Sequence, residues 1–169
     1  MSALTKIRSS KSDDRKFMRE AIRIARESRK LGDYAIGAVM VKDGQIIARA
    51  GNRIRTELDP SSHTEIVAIR MSCRDLGSRY LQGCTLFSTH APCPMCLGAC
   101  VWAKIDRIVY GVSQEDIYIY GKKRGNGQFK WRSSRIEPYV LYGYMEEAHP
   151  TLIIGQMMRK ECLRLFHAS

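Results

Sequence analysis

Two short runs, His63-Thr64-Glu65 and Pro92-Cys93-Pro94-Met95-Cys96, restrict this chain more than any other feature. Both stand where helices are expected to begin. Asp59-Pro60-Ser61-Ser62 offers N-cap residues ahead of a stretch that ends at Gly77. The segment 94–104 reads as a short helix with proline in its first turn. A Cys-x-x-Cys that opens a helix aims both thiols at one point off the helix end, where the helix dipole favours thiolate. His63 and Glu65 are two residues apart and would diverge on a regular helix. They face one point only if that point lies over the first turn.

Taken alone, the two thiols read as a redox pair, as half of a metal site, or as two buried small residues. A redox pair calls for a thioredoxin-like βαβ setting and leaves His63 and Glu65 unexplained. Two thiolates and one imidazole make three metal ligands, and catalytic zinc keeps a fourth position for water. Glu65 is then the carboxylate placed to take that water's proton. Cys100, one turn beyond Cys96, and His90, three residues before Cys93, are competing ligands. Cys100 reads as a small core residue, like Cys73, Cys84 and Cys162, and His90 as a residue of the pocket wall.

The chain of 169 residues fits one domain, and at 44% hydrophobic it can fill a core. Residues 1–12 are polar and basic and read as a flexible tail, with a single domain over 13–169. Phe17, Met18, Ala21, Ile22, Ile24 and Ala25 follow helical spacing. Residues 35–52 are two apolar runs around Asp43-Gly44, a hairpin pattern. Strands are expected over 83–89 and 105–112. The order α-β-β-α-β-α-β argues an α/β layered sandwich with a mixed sheet. Residues 152–166 read as a closing amphipathic helix, and Trp102 reads as core.

The net charge of +11 favours contact with polyanions. The chain has no apolar run of membrane-spanning length and no signal-peptide h-region at its start, so a soluble cytoplasmic protein without membrane partners is expected. In a reducing compartment its six cysteines are thiols or ligands. Residues 114–142 have a poor periodic pattern. They hold Lys122, Lys123, Arg124, Lys130, Arg132 and Arg135, with Phe129 and Trp131 interleaved. This segment reads either as an RNA-contacting arm or as a lid over a small ring.

His63-x-Glu65 with Pro92-Cys93-x-x-Cys96 matches a zinc-deaminase signature. Over roughly Lys16 to Tyr110 the chain resembles the cytidine deaminase-like superfamily, in its guanine deaminase and tRNA adenosine deaminase branch. The match includes Asn52 eleven residues before His63 and the thirty residues from His63 to Cys93. The resemblance implies a three-layer α/β/α sandwich with a central mixed five-stranded sheet. It implies one Zn²⁺ per chain on His63, Cys93 and Cys96, with Glu65 as the catalytic proton carrier. Asn52 is expected to contact the substrate ring, the Thr64 backbone N–H a substrate carbonyl, and the Ala91 carbonyl the leaving amine, with His90 in the pocket. Many relatives carry Glu in place of Ala91 and Ala in place of Thr64. The implied activity is hydrolytic deamination of a nucleobase or nucleoside, an aminopurine such as guanine being favoured. Adenosine in tRNA comes second and a cytosine-type base third, with a non-catalytic zinc-containing nucleic-acid-binding module as a remote alternative. Relatives are usually homodimers, and the C-terminal helix is a candidate contact here.

Overall fold

A computed structural model describes residues 11–124, 131–145 and 149–168. Phe129 and Lys130 of the basic segment, and residues 1–10 of the expected tail, lie outside the described residues. The chain opens with α1 (Lys11–Lys30), which has acids in its first turn and bases in its last, matching the helix dipole. All six apolar positions named above are buried. The hairpin follows as β1 (Gly37–Lys42) and β2 (Gln45–Gly51). Asp43 and Gly44 both have positive φ, the backbone a two-residue hairpin turn requires. Then come α2 (Thr64–Asp75), β3 (Cys84–His90), α3 (Pro94–Trp102) and β4 (Arg107–Val112). The chain continues with α4 (Gln114–Arg124), α5 (Pro138–Gly143), β5 (Leu152–Ile154) and α6 (Arg159–Leu163), and a 3-10 turn spans Arg164–Ala168.

The five strands form one mixed sheet in the order β2-β1-β3-β4-β5. β1 is antiparallel to β2 and β3, while β3, β4 and β5 run parallel. Every residue of β3 and β4 is buried, as expected of central strands covered on both faces. One face packs against α1 and the C-terminal turns through Phe17, Val39, Phe87, Cys162 and Phe166. The other packs against α2 and α3 through Met40, Val67, Leu86, Leu97 and Ile108. This is the expected three-layer α/β/α sandwich.

The end of the chain differs from the expected closing helix. Leu152–Ile154 pair with Arg107–Val109 as the parallel edge strand β5, and only Arg159–Leu163 are α-helical. Trp102, expected in the core, is 84% exposed at the last turn of α3. In the poorly patterned region, α4 begins with a reciprocal cap. The Asp116 N–H donates to Ser113 Oγ at 3.0 Å, and the Ser113 N–H donates to Asp116 Oδ2 at 3.1 Å.

One buried ion pair ties α1 to β4. Arg107 Nη1 donates to Asp14 Oδ1 at 2.9 Å, Nη2 donates to Asp14 Oδ2, and both residues are about 95% buried (5% and 3% exposed). Removing one partner of such a pair strands a buried charge. Arg107→Ala is therefore expected to cost about 3–5 kcal/mol of unfolding free energy, read from the shift of a urea transition.

Candidate metal centre and pocket

Two of the three metal-ligand candidates are helix caps, and the third, Cys96, lies in the first turn of α3. His63 is the N-cap of α2 and Cys93 the N-cap of α3, both with extended backbone, and Pro94 occupies the first turn of α3. The cap is His63 itself and not the expected serine, Ser61 or Ser62, just before it. Asp59 instead gathers Ser61 and Ser62 by accepting from Ser61 N–H at 2.8 Å and from Ser62 Oγ at 2.9 Å. That tight turn carries His63 onto the helix end. Thr64 Oγ1 donates to the Ala50 carbonyl at 2.6 Å, pinning the first turn of α2 to β2.

His63, Cys93 and Cys96 bring one ligand atom each within 4.8 Å of one another. His63 Nδ1 lies 3.7 Å from Cys93 Sγ and 3.6 Å from Cys96 Sγ. Tetrahedral zinc with Zn–S of roughly 2.3 Å and Zn–N of roughly 2.0–2.1 Å requires N···S edges of about 3.5 Å. The donor set therefore fits zinc in kind and in spacing. Cys100 is buried in the α2/α3 core, and neither it nor His90 belongs to the ligand cluster. Cys84 and Cys162 are buried as expected, and Cys73 is partly buried against the same core.

Within the protein itself, the hydrogen bond from Cys96 and then that with His63 hold the Cys93 thiol down to about 4. The same Cys93 contact, with burial, pushes Cys96 up, and contact with Cys93 raises His63. Metal binding must displace these protons.

Glu65, in the first turn of α2, is 4% exposed. Ser88 Oγ donates to its Oε1 at 2.8 Å. Burial raises its pKa, His63 and Ser88 opposing. Glu65, Asn52, His63, Thr64, His90 and Ala91 line one inner cavity of about 80 Å³. The cavity adjoins an outer cleft of about 400 Å³ that shares Asn52, His63, Trp131 and Arg132 with it. The candidate site residues are thus brought together without exception.

Among the lining residues that the sequence did not place in the site, Gln114 and Trp131 do most to shape it. Gln114, 2% exposed, donates from Nε2 to the Ala91 carbonyl at 2.7 Å. Its Oε1 accepts from Ser133 Oγ at 3.0 Å and from Ser134 Oγ at 3.2 Å. One amide thus ties the end of β3 to the segment carrying Trp131. Trp131 stacks on His90, with centroids 5.3 Å apart and rings 4° from parallel, and meets Tyr34 and Phe166 edge-on. Gly121 makes room for it: a Cβ there would lie 2.6 Å from Trp131 Cβ. The Ser113-x-x-Asp116 cap was the available sequence clue to where Gln114 sits.

The ligand set predicts metal stoichiometry. Elemental analysis of the purified chain is expected to give one zinc per chain, falling to about one tenth or less in Cys96→Ser, since a lost thiolate weakens a three-ligand site severely.

Residues 11–112 match the family profile described as "Cytidine and deoxycytidylate deaminase zinc-binding region". A tRNA-specific adenosine deaminase of Bacillus subtilis (strain 168) is 42% identical over 100 residues, 59% of this chain and 62% of that protein. A guanine deaminase of the same organism is 42% identical over 101 residues, 59% of this chain and 65% of that protein. The chain thus spans less than two thirds of the length of these curated relatives. A solved structure from work on A-to-I editing by tRNA:A34 deaminases superposes with a TM-score of 0.72 at 30% identity, covering 89% of this chain and 98% of that one. The profile runs from the start of α1 to the end of β4 and includes all three candidate ligands, so the chain belongs to the cytidine and deoxycytidylate deaminase zinc-binding family, with one zinc ion as its cofactor.

Proposed function

We propose that this chain is a hydrolytic deaminase of a nucleobase or nucleoside. It would consume water, replace an exocyclic amine of the ring by an oxo group, and release ammonia. The observation that carries this reading is Glu65, a buried carboxyl held by Ser88 beside three converging zinc donors and facing the same cavity. When bound on His63, Cys93 and Cys96, zinc supplies Lewis-acid activation of a water. Ser88 holds the Glu65 carboxyl by donating to Oε1, and that carboxyl takes the water proton and delivers it to the ring nitrogen beside the amine-bearing carbon. Glu65 then takes the remaining proton of the hydroxyl now on the ring carbon and gives it to the amine, so that the C–N bond breaks, the oxo group forms and ammonia leaves. Thr64 is the first residue of α2, so its N–H has no intrahelical acceptor and serves a substrate oxygen. Asn52 orients the ring from the cavity wall. The Ala91 carbonyl, steadied by Gln114, has a second lone pair for the leaving amine.

The substrate we favour is an aminopurine such as guanine, as the free base or nucleoside. Trp131 supports this choice, because it stacks on His90 as a wall of the small inner cavity, as the lid reading expects. A second reading, adenosine in tRNA, is favoured by charge. Arg132 lines both the cavity and the outer cleft, Lys122 and Lys123 are exposed, and the Arg135 guanidinium lies 4.2 Å from the Tyr118 ring centre. The protein would work in the cytoplasm, as a homodimer. Exposed Trp102 and Met95 on α3, with Tyr139 and Val140 on α5, make the α3/α5 face the better candidate contact than α6, whose Cys162 is buried in its own core.

Glu65→Gln is expected to lower ammonia release about 10²–10⁴-fold while zinc per chain stays at one. Turnover equal to the parent would remove Glu65 from the chemistry. The tRNA reading is checked separately by the salt dependence of tRNA binding. Replacing Lys122, Lys123 and Arg124 with Ala is expected to reduce the log–log slope by about 1 for each phosphate that is no longer neutralised. An unchanged slope assigns these charges to solvent and leaves the free-base reading.

A further inference from the structure

His90 ends β3 and is 3% exposed, yet its ring carries an unmet hydrogen-bonding atom. Nδ1 lies 3.0 Å from Thr89 Oγ1. Nε2 is buried without a hydrogen-bond partner among the described residues. Thr89 Oγ1 already accepts the Gly37 N–H of β1 at 3.2 Å. A hydroxyl has a single proton to give, and here the described acceptor within reach is His90 Nδ1. Nδ1 is then an acceptor and the ring proton sits on Nε2. Burial keeps the imidazole neutral, pushing its pKa down to about 3, so no second ring proton is present at neutral pH.

The result is a fixed donor with no acceptor among the described residues. The ring is clamped by Trp131 on one face and by Phe166, whose ring is inclined at 61° with its centroid 5.2 Å away. Trp131 Nε1 is likewise buried without a partner. Both residues line the inner cavity that holds Glu65 and Asn52. Leaving a buried N–H unmet is costly, and a ligand acceptor removes that cost on binding.

We infer that His90 is a specificity-determining residue, donating from Nε2–H to an unprotonated ring nitrogen or a carbonyl oxygen of the bound base. This rests on reading the cavity as a nucleobase site, but the donor role does not depend on turnover. His90 takes no part in breaking the C–N bond. It selects bases that present an acceptor where Nε2–H ends, and disfavours isosteres carrying C–H or N–H there.

Two measurements test it. The first is nitrogen-15 NMR of the histidine side chains in the zinc-loaded protein. His90 is expected as the neutral tautomer protonated at Nε2, and an Nδ1–H or doubly protonated ring at neutral pH would overturn the inference. The second compares guanine with 3-deazaguanine and 7-deazaguanine, and adenosine with 3-deazaadenosine and 7-deazaadenosine, on the parent and on His90→Phe, which keeps an aromatic ring against Trp131. In the parent, one deaza position is expected to weaken kcat/KM, or equilibrium binding where there is no turnover, by about 10²-fold or more. In His90→Phe the natural base falls by a similar factor and the two compounds become equal within about threefold. A discrimination ratio unchanged in His90→Phe would overturn the donor role, as would no discrimination or no binding of any of these compounds by the parent. Binding with His90-dependent discrimination but no ammonia release would instead keep His90 and end the deaminase reading.

Discussion

Two helix N-termini converge on one point, and most of the molecule serves to keep them there. His63 and Cys93 have extended backbones because each is a cap, and the extended cap turns its side chain across the helix end rather than along a helix face. Each helix is anchored independently. Thr64 bonds to the Ala50 carbonyl and sets α2 against β2, while β3 runs straight into the turn that begins α3. The two anchors meet through the β1–β3 pairing, in which Ala38 lies opposite Ser88, the residue that bonds Glu65. A slip in that pairing would move ligands and carboxyl apart together. The dipoles of both helices place positive potential where thiolates and a carboxylate collect.

The same end of the sheet concentrates the buried polar groups. Asn52, Glu65, Ser88, Thr89, His90 and Gln114 are all nearly inaccessible, at positions where a core would otherwise be apolar. Most are tied by short bonds to backbone or to one another, which makes the pocket stiff before any ligand arrives. This is where a pre-organised site belongs in a sheet whose central strands are parallel, beyond their carboxyl ends. Ala91 fits the scheme, since a small side chain there leaves its carbonyl open to Gln114.

How much of this was legible in the sequence depended on how local each signal was. The Asp43-Gly44 hairpin, the face of α1 and the proline in the first turn of α3 are written within a few neighbouring residues, and the structure follows them, whereas the cap of α2 falls on His63 and not on the serines before it. The Cys-x-x-Cys and His-x-Glu spacing specified the ligand cluster for the same reason. β5 was hidden because three apolar residues carry no period, and Met157, Met158, Cys162 and Leu165 downstream extend a helix-like spacing across them. Gln114 was hidden because its partners, Ala91 and Ser133–Ser134, are about twenty residues away on either side. Trp102 was misread because α3 is apolar almost all round, so its pattern does not tell the buried face from the outer one.

The chain has two tryptophans, and the fold has given them opposite surroundings. Trp102 stands 84% exposed on the outer layer, whereas Trp131 lies partly buried against His90, Tyr34 and Phe166 at the cavity. The molecule therefore carries a built-in pair of optical probes. One lies on the face proposed for subunit contact and is open to a dissolved quencher whenever that face is uncovered. The other emits from an aromatic cage beside the ligand cavity and is shielded. Occupancy of the cavity and events on the outer face are thereby separable in a single unlabelled sample.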